Sequence, residues 1–335
     1  MKRFLSVAIY AIVLLLTCLS LVFCHSCSVR AVVPYDGSSS SDSLISFLRK
    51  PGLKVLDIGN SYTNDALELL PQVVQNCGVN VNDMSLYKII RGGASFKNWC
   101  DVYQDKDSNS YTFRHVTGSV LAEVPYWEEG YGEGGLLRRI LTDTEWDLII
   151  IHQVSNYAPY YDLWRQDGNG GCLDDLLEIL KENQPGARIG FLLIHSYWDH
   201  YDKNQEGSSL KRWQKIANSV KRLQKDYPIE LVIPYGTAVE NLRASSLNNN
   251  YDLTADGTHC GYGLCQYAAA CCYYEALLAP RTGISCYGSP AEIDVSERFS
   301  AFPGVNVNKK NAQIAQKAAL LAIQDMYNCN NPEKY

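Results

Sequence analysis

Two short segments, far apart in the sequence, carry residue types that together can transfer an acyl group. In the first, Ser61 follows Gly59 and Asn60 directly after an apolar run; in the second, Asp256 precedes His259 on one short stretch. A serine hydroxyl is a weak nucleophile until a base accepts its proton, and an imidazole has a suitable pKa for this near neutrality. A carboxylate on the same loop can hold one ring nitrogen and leave the other facing the serine. The pattern therefore predicts Ser61 as nucleophile, His259 as base and Asp256 as its partner, although each segment alone also fits a capping turn.

The two segments, in this order, resemble the first and last blocks of the SGNH/GDSL hydrolases. Members of that superfamily carry Gly-Asp-Ser or Gly-Asn-Ser after the first strand and Asp-x-x-His near the end of the domain. The resemblance spans roughly Leu53 to Leu278 and implies a hydrolase that acts on ester bonds. It also implies an oxyanion hole, in which the backbone N–H of Ser61 is one donor and Gly93, with Gly92 as the alternative, supplies another.

The third block of the chain departs from the family pattern. Where members commonly have Gly-x-Asn-Asp, the apolar run ending at Ile151 leads into His-Gln-Val-Ser-Asn. By resemblance to exported bacterial members with a glutamine after this strand, Gln153 is expected to be the third oxyanion donor, with Asn156 as the alternative. His152 and His195 also follow predicted strands, but neither has a carboxylate as close in sequence as the one that precedes the predicted base.

Short apolar runs alternate with amphipathic segments, and several of these runs are nearly continuous in apolar residues, as in strands covered on both faces. The predicted strands are 54–58, 86–90, 146–151, 189–194 and 230–234. The predicted helices are 64–77, 173–183, 208–227, 237–246, 263–278 and 311–327. This alternation predicts a doubly wound, mostly parallel α/β sheet of about five strands in a three-layer α/β/α sandwich, with residues 96–135 as an insertion. The carboxyl ends of parallel strands meet at one edge, which would bring Ser61, Gly93 and Gln153 together.

Aromatic residues are concentrated in the loops predicted around this edge. Those expected to bind substrate are Tyr126, Trp127, Tyr157, Tyr197 and Trp198. Flat rings beside hydrogen-bonding groups suit the apolar faces and hydroxylated edges of sugars. We therefore expect a small-molecule or glycan ester, with an acyl group, most simply acetyl, carried on a carbohydrate. A lipid esterase or thioesterase, and a non-catalytic glycan-binding protein on the same scaffold, are the alternatives.

Neither a metal nor an organic cofactor is expected from the sequence. His195, Asp199, His200 and Asp202 have ligand chemistry, but their spacing matches no familiar metal cage. The chain of 335 residues has 30 Lys and Arg against 36 Asp and Glu, a formal net charge of -6, without a cluster of basic residues. A nucleic-acid partner is therefore not expected, and no oligomeric state is predicted.

The N-terminus has the pattern of an export signal, with two basic residues before an apolar run from Phe4 to Phe23. Residues 1–27 are predicted to be a signal peptide or a lipoprotein signal, with lipid attached at Cys24 or Cys27; an uncleaved anchor is a third option. A flexible linker, 28–43, would lead to a domain at 44–335 that ends in a helix. The protein is then secreted, periplasmic or lipid-anchored at the cell envelope, where some of its later cysteines can oxidise.

Overall fold

The computed structural model describes residue 35 and residues 41–104, 112–117, 120–123, 136–248, 253–296 and 304–334. All described residues belong to one compact unit, Val32–Tyr335. The predicted signal at 1–27 and most of the predicted linker at 28–43 lie outside them. Within the described part of the chain, no helix has both the length and the apolar character needed to cross a bilayer.

The centre of the fold is a sheet of seven strands in the order β4-β3-β2-β1-β5-β6-β7. Its strands are β1 (Leu53–Gly59), β2 (Met84–Ile90), β3 (Thr112–Thr117), β4 (Val120–Glu123), β5 (Leu148–Ile151), β6 (Arg188–Leu192) and β7 (Leu231–Ile233). The strands β2, β1, β5, β6 and β7 pair in parallel, with Val55 opposite both Leu86 and Leu148. The predicted doubly wound, mostly parallel α/β sheet is confirmed, and all five predicted strands are present.

The sheet is two strands wider than predicted, because β3 and β4 form inside the interval expected to be an insertion. Both pair antiparallel, β3 with β2 and β4 with β3. Among the β3 side chains that the structure describes, Phe113 and Val116 are the buried apolar ones. Two apolar residues in a six-residue strand give too weak an alternation to predict a strand, and the neighbouring β2 supplies the pairing that stabilises it.

Helices connect and cover the strands. They are α1 (Asp42–Leu48), α2 (Ser61–Leu67), α3 (Leu70–Cys77), α4 (Phe96–Tyr103), α5 (Leu136–Asp143), α6 (Tyr161–Trp164), α7 (Leu173–Asn183), α8 (Ser209–Asp226), α9 (Tyr235–Arg243), α10 (Leu264–Tyr273), α11 (Ala279–Thr282) and α12 (Lys309–Gln324). A π-helical turn, Tyr274–Leu278, joins α10 to α11. The predicted helix 64–77 is instead two helices, because Pro71 stands in the first turn of α3 and has no N–H with which to continue the preceding helix.

The core lies on both faces of the parallel strands. Successive residues of a strand point to opposite faces, and every residue of β5 and all but Lys54 of β1 are buried. Both faces must therefore be covered by helices, as the near-continuous apolar runs indicate. All ten residues of α10 are buried as well, so this helix is enclosed by its neighbours. It begins five residues after His259, which anchors the segment that carries the predicted base.

Candidate active site

Ser61 lies at the N-terminus of α2, immediately after β1. Asn60 caps the helix: its Oδ1 accepts a hydrogen bond from the backbone N–H of Tyr62 at 3.0 Å, and its Nδ2 donates to the carbonyl of Ala94 at 3.0 Å. The helix therefore starts at Ser61, three residues earlier than the predicted start at Asn64. Asn60 already accepts hydrogen bonds from the N–H groups of Tyr62 and Thr63, so the backbone N–H of Ser61 itself is the first-turn donor that can stabilise negative charge beside the half-buried Ser61 side chain.

The structure brings the two predicted segments together. Ser61 Oγ lies 2.8 Å from His259 Nε2, and His259 Nδ1 lies 2.7 Å from Asp256 Oδ2. About a third of the Asp256 and His259 side chains is exposed, 35% and 37%. The hydroxyl, the imidazole and the carboxylate thus form one hydrogen-bonded chain that remains open to solvent on one side. This is the arrangement in which a serine hydroxyl can be deprotonated as it attacks.

The carboxylate of Asp256 is fixed by its own loop. Its Oδ1 accepts hydrogen bonds from the backbone N–H groups of Thr258, at 2.9 Å, and of His259, at 2.8 Å. Partial burial favours the neutral acid, but the hydrogen bonds from His259 and Thr258 outweigh burial and hold the pKa of Asp256 well below its usual range. The group is therefore ionised at neutral pH and accepts the Nδ1 proton, which leaves Nε2 free to act as a base toward Ser61.

Tyr62, which the sequence did not single out, lies between the two segments. Its hydroxyl donates to the carbonyl of Thr258 at 2.9 Å, and its ring lies 5.6 Å from the ring of His259, centroid to centroid. The same ring stacks on His195 at 4.8 Å. Because Tyr62 is next to the predicted nucleophile and bonds the residue before the predicted base, it fixes their separation.

Gly92 and Gly93 are both exposed on the loop that follows β2. The hydrogen bond from Asn60 to Ala94 ties this loop to the turn that carries Ser61. Gly93 has a φ of +66°, which favours glycine, and there is open space where a side chain would stand. The loop is thus held beside the nucleophile with a bare stretch of backbone facing solvent.

The two candidates for the third oxyanion donor differ in environment. Gln153 is buried; its Nε2 donates to the carbonyl of Gly170 at 2.8 Å and its Oε1 accepts from the N–H of Val154 at 2.9 Å. These bonds use one of the two amide hydrogens. Asn156 is exposed, and its Oδ1 accepts from the hydroxyl of Tyr197 at 2.6 Å.

His152 is buried beneath the turn that carries Ser61. Its Nε2 lies 3.3 Å from the N–H of Asn60 and 2.9 Å from Thr63 Oγ1, and its Nδ1 lies 3.1 Å from the carbonyl of Gln153. The Thr63 hydroxyl also reaches Asp57 Oδ1 at 2.9 Å. Both ring nitrogens are therefore engaged in holding this turn, which makes His152 a support for the turn and not a competing base.

The close approach of His152 and Thr63 requires a glycine at position 59. A Cβ at Gly59 would overlap Thr63 Oγ1 and His152 Nε2, and neither can move without breaking the bonds just described. We expect Gly59→Ala to reduce the free energy of unfolding by about 3 kcal/mol, since overpacking a buried site forces backbone shifts. Urea denaturation tests this. Gly186→Ala is the matched control, because a Cβ there meets nothing; equal effects of the two changes would contradict the explanation.

Two buried groups in this cluster have displaced pKa values. Burial raises the pKa of Asp57 to about 7, against hydrogen bonds from Thr63 and Tyr273 and the charge of Lys88, which lower it. Burial lowers the pKa of His152 to about 4. Relative to the unfolded chain, folded Asp57 holds a proton more tightly and folded His152 less tightly. The two residues therefore make opposite contributions to the pH dependence of stability below about pH 6.5, the usual pKa of histidine.

His152→Gln should separate these contributions. The stability that neutral His152 provides is complete above about pH 6.5 and is lost as the pH falls toward 4. The variant lacks this loss, so its destabilisation relative to the unchanged protein should grow by about 3 kcal/mol as the pH rises from roughly 4 to 6.5. Urea denaturation at a series of pH values measures it. A destabilisation that stays constant over this interval would refute the assignment.

The residues expected to bind substrate differ in burial, and one of the three that are described lines an open cleft. Tyr126 and Trp127 lie outside the described residues. Tyr197 is buried, with its hydroxyl on Asn156 and its ring under the guanidinium of Arg212 at 4.0 Å, so its faces are covered. Tyr157 is half-buried, and its ring lies against Gly170. Trp198 is the one of the three described residues that lines an open cleft next to Asp256.

This cleft has an aromatic wall that the sequence identified only in part. Trp198, His200 and Tyr201 line it together with Asp256 and Gly257. The N–H of Trp198 donates to the carbonyl of Gly257 at 2.9 Å, which ties the wall to the loop of the predicted base. Gly257 has a φ of +84°, and a Cβ there would lie 2.6 Å from the ring of Tyr201. A larger, mostly apolar cavity lies elsewhere, between α1, α7 and the amino ends of β5 to β7.

The chain matches the DUF4886 family, described as a domain of unknown function, over residues 54–322. A crystal structure of a DUF4886 family protein from Bacteroides uniformis has a TM-score of 0.67 and 23% identity, and the match covers 84% of this chain and 99% of that one. The comparison with curated proteins gives no match.

Similarity also extends to proteins described as hydrolases and transferases. A protein from Slackia heliotrinireducens assigned as an SGNH hydrolase is 17% identical, with a TM-score of 0.40 over 69% of this chain and 98% of that one. The catalytic domain of peptidoglycan O-acetyltransferase A from Streptococcus pneumoniae is 11% identical, with a TM-score of 0.39 over 70% of this chain and 99% of that one. TM-scores of 0.40 and below carry no argument about the activity of this chain. From the match over most of its length, the chain belongs to the DUF4886 family.

Proposed function

We propose that this chain is a serine esterase that removes an acyl group, most simply acetyl, from a carbohydrate ester. The observation that supports this is the hydrogen-bonded chain from Ser61 Oγ through the His259 ring to Asp256, with distances of 2.8 and 2.7 Å. Heavy-atom separations of this size allow general-base catalysis. Two capping turns with no common function would not need to place these three side chains in contact.

In the proposed mechanism, Ser61 Oγ attacks the ester carbonyl while His259 Nε2 accepts the hydroxyl proton. The tetrahedral oxyanion receives hydrogen bonds from the backbone N–H of Ser61, from Gly93 or its neighbour Gly92, and from an amide, Gln153 or Asn156. His259 then protonates the alcohol oxygen as the carbon–oxygen bond breaks, which leaves an acyl-serine. Water, deprotonated by His259, attacks this ester and releases the carboxylic acid and the free serine.

The decisive experiment is labelling with a fluorophosphonate probe, followed by mass spectrometry of the digested protein. The expected result is a single adduct on the peptide that contains Ser61, since the probe reacts with serines activated by a base. Failure of the folded protein to react, combined with retained binding of glycans, would favour the non-catalytic alternative. A set of p-nitrophenyl esters of increasing acyl length then separates the substrate classes: hydrolysis of acetate alone supports a deacetylase, and a preference for long chains supports a lipid esterase or thioesterase.

The carbohydrate part of the proposal is supported by the aromatic wall beside Asp256. We expect Trp198→Ala to raise KM for an acetylated oligosaccharide about tenfold, because a ring that stacks on a sugar contributes on the order of 1 kcal/mol or more. Hydrolysis of p-nitrophenyl acetate should change little, since that substrate carries no sugar ring to stack on Trp198. The backbone bond from Trp198 to Gly257 survives the substitution. Equal losses on both substrates would instead indicate damage to the site.

We also propose that the protein is exported, on the strength of the basic and apolar pattern of residues 1–27. Mass spectrometry of the N-terminus of the protein made in a bacterial host distinguishes the options. A cleaved chain supports secretion or release into the periplasm, and a diacylated Cys24 or Cys27 supports lipid anchoring.

A further inference from the structure

A buried cluster of metal-ligating side chains lies beside Tyr62, whose ring stacks on that of His195 at 4.8 Å. One ligand atom from each of Asp65, His195 and Cys260 lies within 4.8 Å of the other two, and all three residues are buried. The Sγ of Cys265, also buried, lies 2.9 Å from that of Cys260. The four residues come from α2, from the loop after β6, from the segment after His259 and from the first turn of α10.

One ring nitrogen of His195 is engaged in a hydrogen bond, and the other carries an unshared lone pair. Its Nδ1 lies 2.8 Å from the carbonyl of Ser196, and because a carbonyl can only accept, Nδ1 carries the proton. The Nε2 of the neutral ring then has a lone pair, and among the described residues it has no hydrogen-bond partner. It points instead toward Asp65 Oδ2 at 3.7 Å, a carboxylate oxygen that already accepts the N–H of Cys260 at 2.9 Å.

Two acceptors that face each other without a donor are unfavourable in a fully buried place. A second polar atom in the same region is also unsatisfied: the hydroxyl of Tyr235, whose ring lies 5.7 Å from that of His195, has no hydrogen-bond partner within the described part of the chain. A positive species between the imidazole, the carboxylate and the thiols would resolve the conflict. Such a species must be a bound cation or a proton on the ring.

We propose that Asp65, His195, Cys260 and Cys265 bind a zinc-class divalent cation. The donor set is one carboxylate oxygen, one imidazole nitrogen and two sulfurs, which suits tetrahedral zinc, whereas magnesium and calcium require oxygen ligands. Four protein ligands leave no position for substrate, so the ion is structural. Binding releases the two thiol protons to solvent and forms two metal–sulfur bonds, with no change of oxidation state.

The placement of the ligands gives the ion a positioning role. Asp65 is one helical turn after Ser61 on α2, and Cys260 directly follows His259. A bound cation would therefore join the helix of the nucleophile to the loop of the base, parallel to the link that Tyr62 makes through Thr258. The binding of the ion itself does not depend on the proposed esterase activity.

The competing occupant is a Cys260–Cys265 disulfide, with an imidazolium of His195 paired to Asp65. A disulfide needs the sulfurs about 2.05 Å apart, and two zinc-bound thiolates stand roughly 3.8 Å apart. The observed 2.9 Å lies between these values. Reaching either value changes the sulfur–sulfur separation by about 1 Å or less. Coordination also requires Cys265 Sγ to move toward Asp65 and His195, because it lies outside the group of three ligand atoms that are within 4.8 Å of one another. Experiment distinguishes the two states.

The test is the metal content of the full chain, purified without chelator, together with its intact mass under non-reducing conditions. We expect about one zinc ion per chain, as in structural sites with four protein ligands. His195→Gln and Cys260→Ser should remove it, while Cys77→Ser, at a half-buried cysteine outside the cluster, should retain it. A protein without zinc that is lighter by two hydrogen atoms, or one that has free thiols and gains no thermal stability from added zinc, would overturn the proposal.

A variant of a buried ligand can fail to fold, so a second measurement uses the unchanged protein. After removal of metal, titration with Co²⁺ should produce the thiolate-to-cobalt charge-transfer band and the intense visible bands of tetrahedral coordination, saturating at about one equivalent. Absence of these bands in a chain whose thiols are reduced counts against the site. Neither readout involves ester hydrolysis, so this outcome is distinguishable from failure of the proposed function.

Discussion

Ser61→Ala is expected to lower kcat/KM for an acetyl ester by roughly 10⁵-fold, because the acyl-enzyme route is lost and only binding and oxyanion stabilisation remain. The hydroxyl is half-buried and its hydrogen bond is to His259, so the free energy of unfolding should change by less than about 1 kcal/mol. Steady-state kinetics and urea denaturation measure the two effects.

Ser246→Ala is the matched control for this substitution. Ser246 is exposed, and its hydroxyl donates to Glu333 at 2.7 Å, on a part of the chain that the proposed mechanism does not use. It should retain full activity and full reaction with the fluorophosphonate probe. If Ser61→Ala kept more than about a tenth of the activity, a different nucleophile would be at work, since removal of the attacking group costs far more than this.

The sequence was most informative where one pattern determines both the element and its burial. The run Leu148 to Ile151 is apolar at every position, so it predicts a strand covered on both faces, and β5 is buried throughout. Ser61 and Gly93 follow β1 and β2, and the topology of a parallel sheet brings strand ends to one edge without any detail of side-chain packing. The meeting of these two loops at one edge of the sheet could be predicted for this reason.

Side-chain orientation in the loops could not be predicted in this way. Gln153 and His152 both follow β5, but the sequence does not reveal that His152 is enclosed under the Ser61 turn or that the Gln153 amide bonds to Gly170. Tyr197 is of a residue type that often stacks on sugars, yet Arg212 from α8 covers its ring. These outcomes depend on which element packs over each loop, and periodicity carries no information about that.

The cluster beside Tyr62 shows the same limit. The sequence drew attention to His195 together with Asp199 and His200, which are adjacent in the chain. In the structure Asp199 accepts from the N–H of Ser209 at the start of α8 and is exposed, as is His200, while His195 faces Asp65 and Cys260. Asp65 lies inside the predicted helix 64–77, and Cys260 is one of the later cysteines; their spacing in the sequence does not relate them. Only the crossing of α2 with the segment after His259 places them together.

Asp256→Asn tests the role of the carboxylate without removing the loop contacts. The Oδ1 of asparagine can still accept the N–H groups of Thr258 and His259, so the loop should keep its conformation. The side-chain NH₂ group would then face His259 Nδ1, which must become an acceptor, and the ring proton would move to Nε2. A protonated Nε2 cannot take the proton of Ser61 Oγ, which lies 2.8 Å away.

We therefore expect Asp256→Asn to lower kcat by about 10⁴-fold with little change in KM or thermal stability, because the tautomer and not the fold is altered. Asp202→Asn is the matched control: it removes an exposed negative charge from the same cleft but does not touch the imidazole. It should retain activity within about threefold, since exposed charges interact weakly. A comparable loss of kcat in both variants would mean that the cleft requires negative charge as such. A loss of kcat of less than tenfold in Asp256→Asn would mean that His259 is oriented by a group other than this carboxylate.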